Sequence, residues 1–295
     1  MIHASKNKLP KEVQQFPVMK IAGSSRTETT DDVVKEAPLE ISIAYGSAGH
    51  RKKELLAVTM RTPGHDFDMV TGWLFAEHII ERFADIISIR FTGHFDDPAL
   101  QENALLVELS ADVKVDLSAK KRFITNSACG FCGSSAFDVS SHEGTYIPMV
   151  NGETIPQNII SRLPEMIQSG QGLFSTTGGS HAVALFSFDG KPLKSFEDVG
   201  RHNAMDKLIG YMLKQQSIPL TNTMAVFSGR LSYELVQKAL AAGIPVLCSI
   251  GAPTSLAIEL ADDFNMTVVG FLKKDRMNIY CGAERIALKT NDDQP

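Results

Sequence analysis

The sequence predicts an α/β fold: a mostly parallel sheet flanked by helices, with a smaller strand-rich part before it. Three observations predict this. Apolar residues alternate with polar ones through residues 38–112, the period of strands with one buried face. From residue 181 onward, short near-continuous apolar runs alternate with helical stripes, the rhythm of crossover units in a parallel sheet. The chain of 295 residues is 43% apolar and 21% charged, an ordinary globular composition large enough for a sizeable core.

Residues 1–36 are polar and poorly patterned, with SSRTETTDD in their middle. They read as a partly disordered tail, with a short strand at Pro17 to Ile21. The strand-rich part covers 37–117. Its alternating sets are Leu39, Ile41, Ile43 and Tyr45; Leu56, Val58 and Met60; Ile87, Ile89 and Phe91; and Leu105, Val107 and Leu109. One helix interrupts them, with Phe67, Val70, Trp73, Leu74 and Ile80 as a stripe. Asp66 and Asp68 stand in its first turn, where the helix dipole favours acids.

The α/β domain covers 118–295. Strands are expected at His181 to Phe188, Met224 to Phe227, Ile244 to Ser249 and Met266 to Leu272. Helices are expected at Arg201 to Lys214, Ser232 to Ala242 and Ser255 to Phe264. Ligands of open parallel sheets sit beyond the carboxyl ends of the strands. Three small or basic segments fall there: Ser228-Gly229-Arg230, Gly251 to Ser255, and Lys273 to Arg276. Two further polar clusters stand near this rim, TGGSHAVAL around His181 and EDVGRHNAMDK around Arg201 and His202. The second opens a helix, whose free N–H groups favour an anion; its bland reading is a capped helix with surface charges.

The net charge of −5 and pI near 5.9 disfavour a nucleic-acid binder. The N-terminus lacks the apolar core of a signal peptide, and the most apolar stretch, Ala239 to Ala252, is broken by Gly243, Pro245 and Gly251. The expectation is a cytoplasmic protein, apart from membranes, with reduced cysteines.

Cys129 and Cys132 form a Cys-x-x-Cys pair flanked by Gly130 and Gly133. Such an open loop gives another protein's thiol access to the sulfur. Spacing leaves three chemistries open: zinc, a thioredoxin-like dithiol, and a sulfur carrier. Zinc lacks a second pair, since Cys248 sits in a strand pattern and Cys281 stands alone. The two glycines make a poor start for the helix that a thioredoxin-like motif needs. The zinc-deaminase pattern of H-x-E followed by P-C-x-x-C is also unmet, because Ala128 precedes Cys129 and His181-Ala182-Val183 offers no glutamate.

Together these residues resemble the FdhD/NarQ family of formate dehydrogenase accessory proteins. The matching blocks are VTMRTPGHDFDMVTGWLFAEHII, SACGFCG, TGGSHAVAL, EDVGRHNAMDK, SGRLSYELVQKALAAGIP, APTSLAIELA and GFLKKDRMNIY, in order from about residue 55 to 281. The resemblance implies a cytidine-deaminase-like fold, a homodimer and a sulfurtransferase. A cysteine desulfurase would load the Cys129/Cys132 loop. The sulfur would pass to molybdenum bis-molybdopterin guanine dinucleotide, the cargo, on its way to formate dehydrogenase. The first cysteine, Cys129, would carry the persulfide.

The same resemblance places a cofactor contact at Phe271-Leu272-Lys273-Lys274-Asp275-Arg276, where the rim rule also puts a ligand. The basic side chains there suit a pyrophosphate and Asp275 the guanine, so GDP should bind as a fragment. Ser228, Gly229, Arg230, His181, Arg201 and His202 complete the expected cofactor-binding set. Lys273 departs from the family's usual arginine and keeps charge without a planar fork. No stoichiometric zinc is expected. Two alternatives remain: a cofactor chaperone without transfer chemistry, and a zinc-dependent deaminase-like hydrolase.

Overall fold

The computed structural model describes residues 9–93, 101–115, 146 and 153–287. Cys129 and Cys132 lie outside the described residues.

The first two strands, β1 (Val13–Ala22) and β2 (Ser25–Val34), pair antiparallel through a two-residue turn at Gly23 and Ser24. Gly23 has φ 59°, the left-handed conformation that suits a tight hairpin turn. This ribbon replaces most of the loose tail expected from the sequence. Its residues are exposed on both faces for most of its length, so no face imposes an alternating apolar pattern.

A four-stranded sheet follows, built from β3 (Ala37–Tyr45), β4 (Lys52–Arg61), β5 (Ile86–Phe91) and β6 (Ala104–Leu109) in the order β4-β3-β6-β5. Leu39, Ile41 and Ile43 of β3 face the core, as do Leu105, Val107 and Leu109 of β6. Between β4 and β5 runs helix α1 (Asp66–Ala76). Asp66 does more there than answer the dipole: it holds the fully buried Arg61 at 2.6 Å.

After β7 (Ile155–Pro156) and the short helices α2 (Gln157–Ile160), α3 (Leu163–Ser169) and α4 (Gly172–Thr177), the main sheet begins. Its strands are β8 (His181–Ser187), β9 (Pro192–Asp198), β10 (Thr223–Phe227), β11 (Val246–Ser249), β12 (Thr267–Gly270) and β13 (Asn278–Cys281). Their order is β13-β12-β11-β10-β8-β9. Helix α5 (Arg201–Lys214) follows β9, α6 (Tyr233–Ala241) follows β10, and α7 (Ser255–Asp263) follows β11. A final short strand, β14 (Ile286–Ala287), pairs with β7.

The strands and helices expected after residue 181 are present, but the sheet is mixed rather than mostly parallel. Only β10–β11 and β11–β12 are parallel; β8–β9, β8–β10 and β12–β13 are antiparallel. The expected set lacks both edge strands of this sheet, β13 and β9. Strand β9 returns from β8 through a tight turn in which Gly190, at φ 83°, donates to the Ser187 carbonyl. Asp189-Gly190 between two strand patterns is a hairpin signal visible in the sequence.

The central strands are buried on both faces. Val183, Leu185, Ala225, Phe227, Leu247 and Val268 point into a core shared with α1, α5, α6, α7 and the four-stranded sheet. Ala184, Phe186, Met224, Val226, Cys248 and Val269 point into a second core closed by α2, α3, β7 and β14. Two glycines let α1 and α5 cross at backbone contact: a Cβ on Gly72 would stand 2.0 Å from the Asp206 carbonyl oxygen, and one on Gly210 1.8 Å from that of Asp68. The ion pair Lys238–Asp206, at 2.5 Å and mostly out of solvent, ties α5 to α6.

Candidate functional site on the sheet rim

Because β8 is antiparallel to β10, the start of β8 lies beside the end of β10; Val183 pairs with Phe227, and His181 with Asp198. One rim therefore collects His181, the start of α5 after β9, and the loops that leave β10, β11 and β12. These loops continue the sheet by backbone bonds. Gly251 N–H donates to the Gly229 carbonyl, Leu231 N–H to Ala252, Phe271 N–H to Gly251, and Leu272 N–H to Ser249. Gly251 must be small, since a Cβ would come within 3.0 Å of the Gly229 carbonyl oxygen.

All twelve cofactor-binding candidates fall on this rim or on the chain leaving it. Arg230, Phe271, Lys273, Lys274, Asp275 and Arg276 are exposed, whereas Leu272 is buried in the second core and serves packing instead. Phe271 adopts φ 50°, a strained value for an aromatic residue, and leaves its ring in solvent. Lys274 pairs with Glu165 at 3.0 Å. Ser228 Oγ accepts from the Ala182 N–H and so fixes the β8–β10 edge. Gly229 lies under His181: a Cβ there would sit 3.2 Å from the ring Nδ1.

His181 is half-buried. Burial lowers its pKa, and the nearby Arg201 and His202 lower it further, against a weaker pull from Asp198. It is therefore neutral at pH 7, with one ring nitrogen to donate and one to accept. His202 Nε2 lies 3.1 Å from Ser232 Oγ and 3.2 Å from Glu234 Oε2, across to the start of α6. Burial works to raise the Glu234 pKa, but its bonds to His202 and Ser232 outweigh that and hold it low. Arg201 Nε is buried and has no hydrogen-bond partner among the described residues.

Behind the start of α5 stands a buried network whose importance the sequence hides. Asp198 has no exposure and accepts from Lys207 Nζ at 2.6 Å, Thr62 N–H at 3.1 Å, Gly200 N–H at 2.8 Å and Asn203 Nδ2 at 2.9 Å. Thr62 Oγ1 accepts in return from Val199 N–H. Lys207 also donates to the carbonyls of Thr62 and Glu197. The turn before α5 is thereby pinned to the β4–α1 loop. Glu197 accepts from Leu173 N–H, Phe174 N–H and Ser180 Oγ, which holds α4 and the segment leading to His181. The acid pair Glu197-Asp198 and Lys207 were visible in the sequence; their partner Thr62, more than a hundred residues earlier, was not.

Cys248 and Cys281 are buried thiols. Burial pushes Cys248 up to about 12 and Cys281 up to about 11, which keeps both protonated and poorly nucleophilic. Among the described residues, no cluster of three or more His, Cys, Asp or Glu could hold a metal ion, and no helix is long and apolar enough to cross a membrane.

A family model described as the FdhD/NarQ family matches residues 34–287. The chain is 43% identical over 264 residues to the "Sulfur carrier protein FdhD" of Mycolicibacterium paratuberculosis, covering 89% of this chain and 93% of the relative. It is 40% identical over 270 residues to the protein of the same name from Nocardia farcinica, covering 91% and 93%. The protein of that name from Sulfurisphaera tokodaii is 37% identical over 275 residues, covering 93% and 99%. A crystal structure from Desulfotalea psychrophila, described as a formate dehydrogenase accessory protein, superposes with a TM-score of 0.69. It shares 22% identity, covers 94% of this chain and all of that one, and supports the fold.

Proposed function

This chain belongs to the FdhD/NarQ family, and from that membership we propose that it is a sulfur carrier serving a formate dehydrogenase. Sulfur is taken as a persulfide from a cysteine desulfurase and passed to molybdenum bis-molybdopterin guanine dinucleotide, bound as cargo. The observation that carries this reading is the state of the other thiols. A persulfide carrier must attack as a thiolate and meet a partner's sulfur. Cys248 and Cys281 are buried and held protonated, so the chemistry falls to Cys129 and Cys132.

The rim suits a polyanionic cargo. The N-termini of α5, α6 and α7 all open onto it, and Arg201, Arg230, Lys273, Lys274 and Arg276 supply cations around them. The exposed turn Phe271 to Arg276 holds the guanine nucleotide in this proposal, with Asp275 available to the base. Ser228, Gly229, Arg230, His181 and His202 line the path between that turn and α5. The protein acts as a homodimer in the cytoplasm. The test is mass spectrometry of each cysteine after incubation with a desulfurase and cysteine, paired with formate dehydrogenase activation. Cys129→Ala should abolish both the persulfide and the activation while remaining folded; full activation by this variant would move the role to Cys132. Arg276→Ala should weaken GDP by about 1.5–3 kcal/mol, the scale of a charged hydrogen bond.

A further inference from the structure

Among the described residues, strands β1 and β2 pair only with each other. The ribbon joins the body at its base. Lys35 N–H donates there to the Glu12 carbonyl, and the Val34 side chain lies so close to Gly179 that a Cβ on this glycine would meet it at 2.5 Å. From Gln14 to Asp31 every residue but Val18 is exposed. Two strands alone are marginally stable in water, and further strands or a packed face make such a ribbon hold.

The two free edges of the ribbon differ. Pro17 stands opposite Thr30. Proline has no N–H, so this is a non-hydrogen-bonded pair, and the backbone groups of both residues point away from the ribbon. Alternation then turns outward the N–H and C=O of Arg26, Glu28, Thr30 and Asp32 on β2, and the backbone of Gln15, Pro17, Met19 and Ile21 on β1. The β1 edge lacks a donor at Pro17, which blunts it against further pairing. The β2 edge, SRTETTDDVV, has no proline and offers a full row of donors and acceptors. Its charges also complement themselves. Antiparallel pairing of this edge with a copy of itself must set outward residues opposite outward residues. A two-fold axis at Thr29 overlaps residues 25–33 of both strands. It sets Arg26 opposite the partner's Asp32 and Glu28 opposite the partner's Thr30, each twice by symmetry, and brings no like charges face to face. An axis at Glu28 faces that carboxylate with itself, and one at Thr30 sets Glu28 against the partner's Asp32; both are unfavourable. An axis at Thr27 overlaps only residues 25–29.

We propose that the β2 edge pairs antiparallel with β2 of a second copy of this chain about a two-fold axis at Thr29, giving one four-stranded sheet shared by two protomers. This names the interface of the homodimer proposed above and rests on that reading. Pro17 then lies on each outermost strand and stops the sheet at four, so the contact closes as a dimer and does not run on into a filament.

Sedimentation of the full chain over a range of concentrations tests this. Glu28→Pro removes an outward N–H and leaves the bonds to β1 intact, which an unchanged circular dichroism spectrum would verify. Each dimer loses two ladder bonds, so its dissociation constant should rise about thirtyfold or more. Arg26→Asp turns two attractions into repulsions and should weaken the dimer about tenfold. The charge swap Arg26→Asp with Asp32→Arg should return it to within a few-fold of the parent. Met19→Ser with Ile21→Ser, on the outer strands, should leave the dimer unchanged. A parent chain that sediments as a monomer sinks the homodimer reading and this interface with it. A parent dimer that persists in folded Glu28→Pro, that the swap fails to restore, or that Met19→Ser with Ile21→Ser dissolves overturns the β2 edge alone and leaves the homodimer standing.

Discussion

The crossing of α1 and α5 gives the sharpest quantitative test of the fold. In Gly210→Ala the new Cβ would lie 1.8 Å from the Asp68 carbonyl oxygen, where real Cβ contacts do not fall below 3.0 Å. The obstacle is backbone, so no rotamer change relieves it. The helices must part by roughly 1.2 Å, the difference between those two distances. Seven buried side chains depend on the seam: Met69, Val70 and Leu74 on α1, and Met205, Leu208, Ile209 and Leu213 on α5. A gap of this size forfeits about a quarter or more of each one's contact energy. With about 2 kcal/mol per side chain, the loss is about 3.5 kcal/mol. Alanine returns about 1 kcal/mol of helix propensity, which leaves a net destabilisation near 2.5 kcal/mol. Urea unfolding followed by circular dichroism measures this as a lower midpoint with an unchanged slope. Gly172→Ala is the control: its Cβ meets nothing within 4 Å, so it should be neutral or stabilise by up to about 1 kcal/mol. A Gly210→Ala protein as stable as the parent, or a Gly172→Ala protein that loses as much, would refute the steric reasoning.

Further outcomes follow from the buried charges and thiols. Lys207→Met strands the Asp198 carboxylate and should cost about 3–5 kcal/mol at neutral pH; a loss below 1 kcal/mol by urea titration would show that the pair adds little. Burial raises the Asp206 pKa from 3.8 to about 6, against the pull of Lys238. A raised carboxylate pKa stabilises fully below pH 3.8, and this contribution disappears as the pH rises through 6. Lys238→Met removes the opposing cation, so its destabilisation should be small at pH 4.5 and grow toward pH 7. Unfolding midpoints that drop equally at both pH values would contradict that coupling. Cys248→Ala should cost about 1 kcal/mol and keep formate dehydrogenase activation, because the thiol fills core space in β11; an inactive but folded variant would reopen its role.

Much of the second half of the chain was legible because buried strands and amphipathic helices leave strong local signatures. The runs AVF, IPVLC and TVVGF fall in β10, β11 and β12, and the stripe Leu235, Val236, Ala239, Leu240 is the buried face of α6. Strand direction was less legible. Burial on both faces marks a central strand without saying which way it runs, and the Asp189-Gly190 turn that reverses β8 into β9 is a short signal. Exposure erased other patterns: β1 and β2 have no buried face, and the expected alternation of β4 fails where Val58 is 43% exposed. At the site, residue types pointed to His181, Arg201 and His202, because polar clusters beside a strand end are unusual locally. The clamp that aims them was invisible, since Thr62 meets Asp198 only through the tertiary fold.

The reversal of β8 also sorts the chain by geography. His181 begins the strand at the working rim, and Ser187 ends it at the opposite edge, where Asp189 to Lys191 turn back into β9. Asp189 and Lys191 are exposed there, a full strand length from His181. A fluorophore or short peptide tag grafted between them would report on complex formation without touching the rim. The same arrangement leaves this connection free to change length in evolution while the rim keeps its composition.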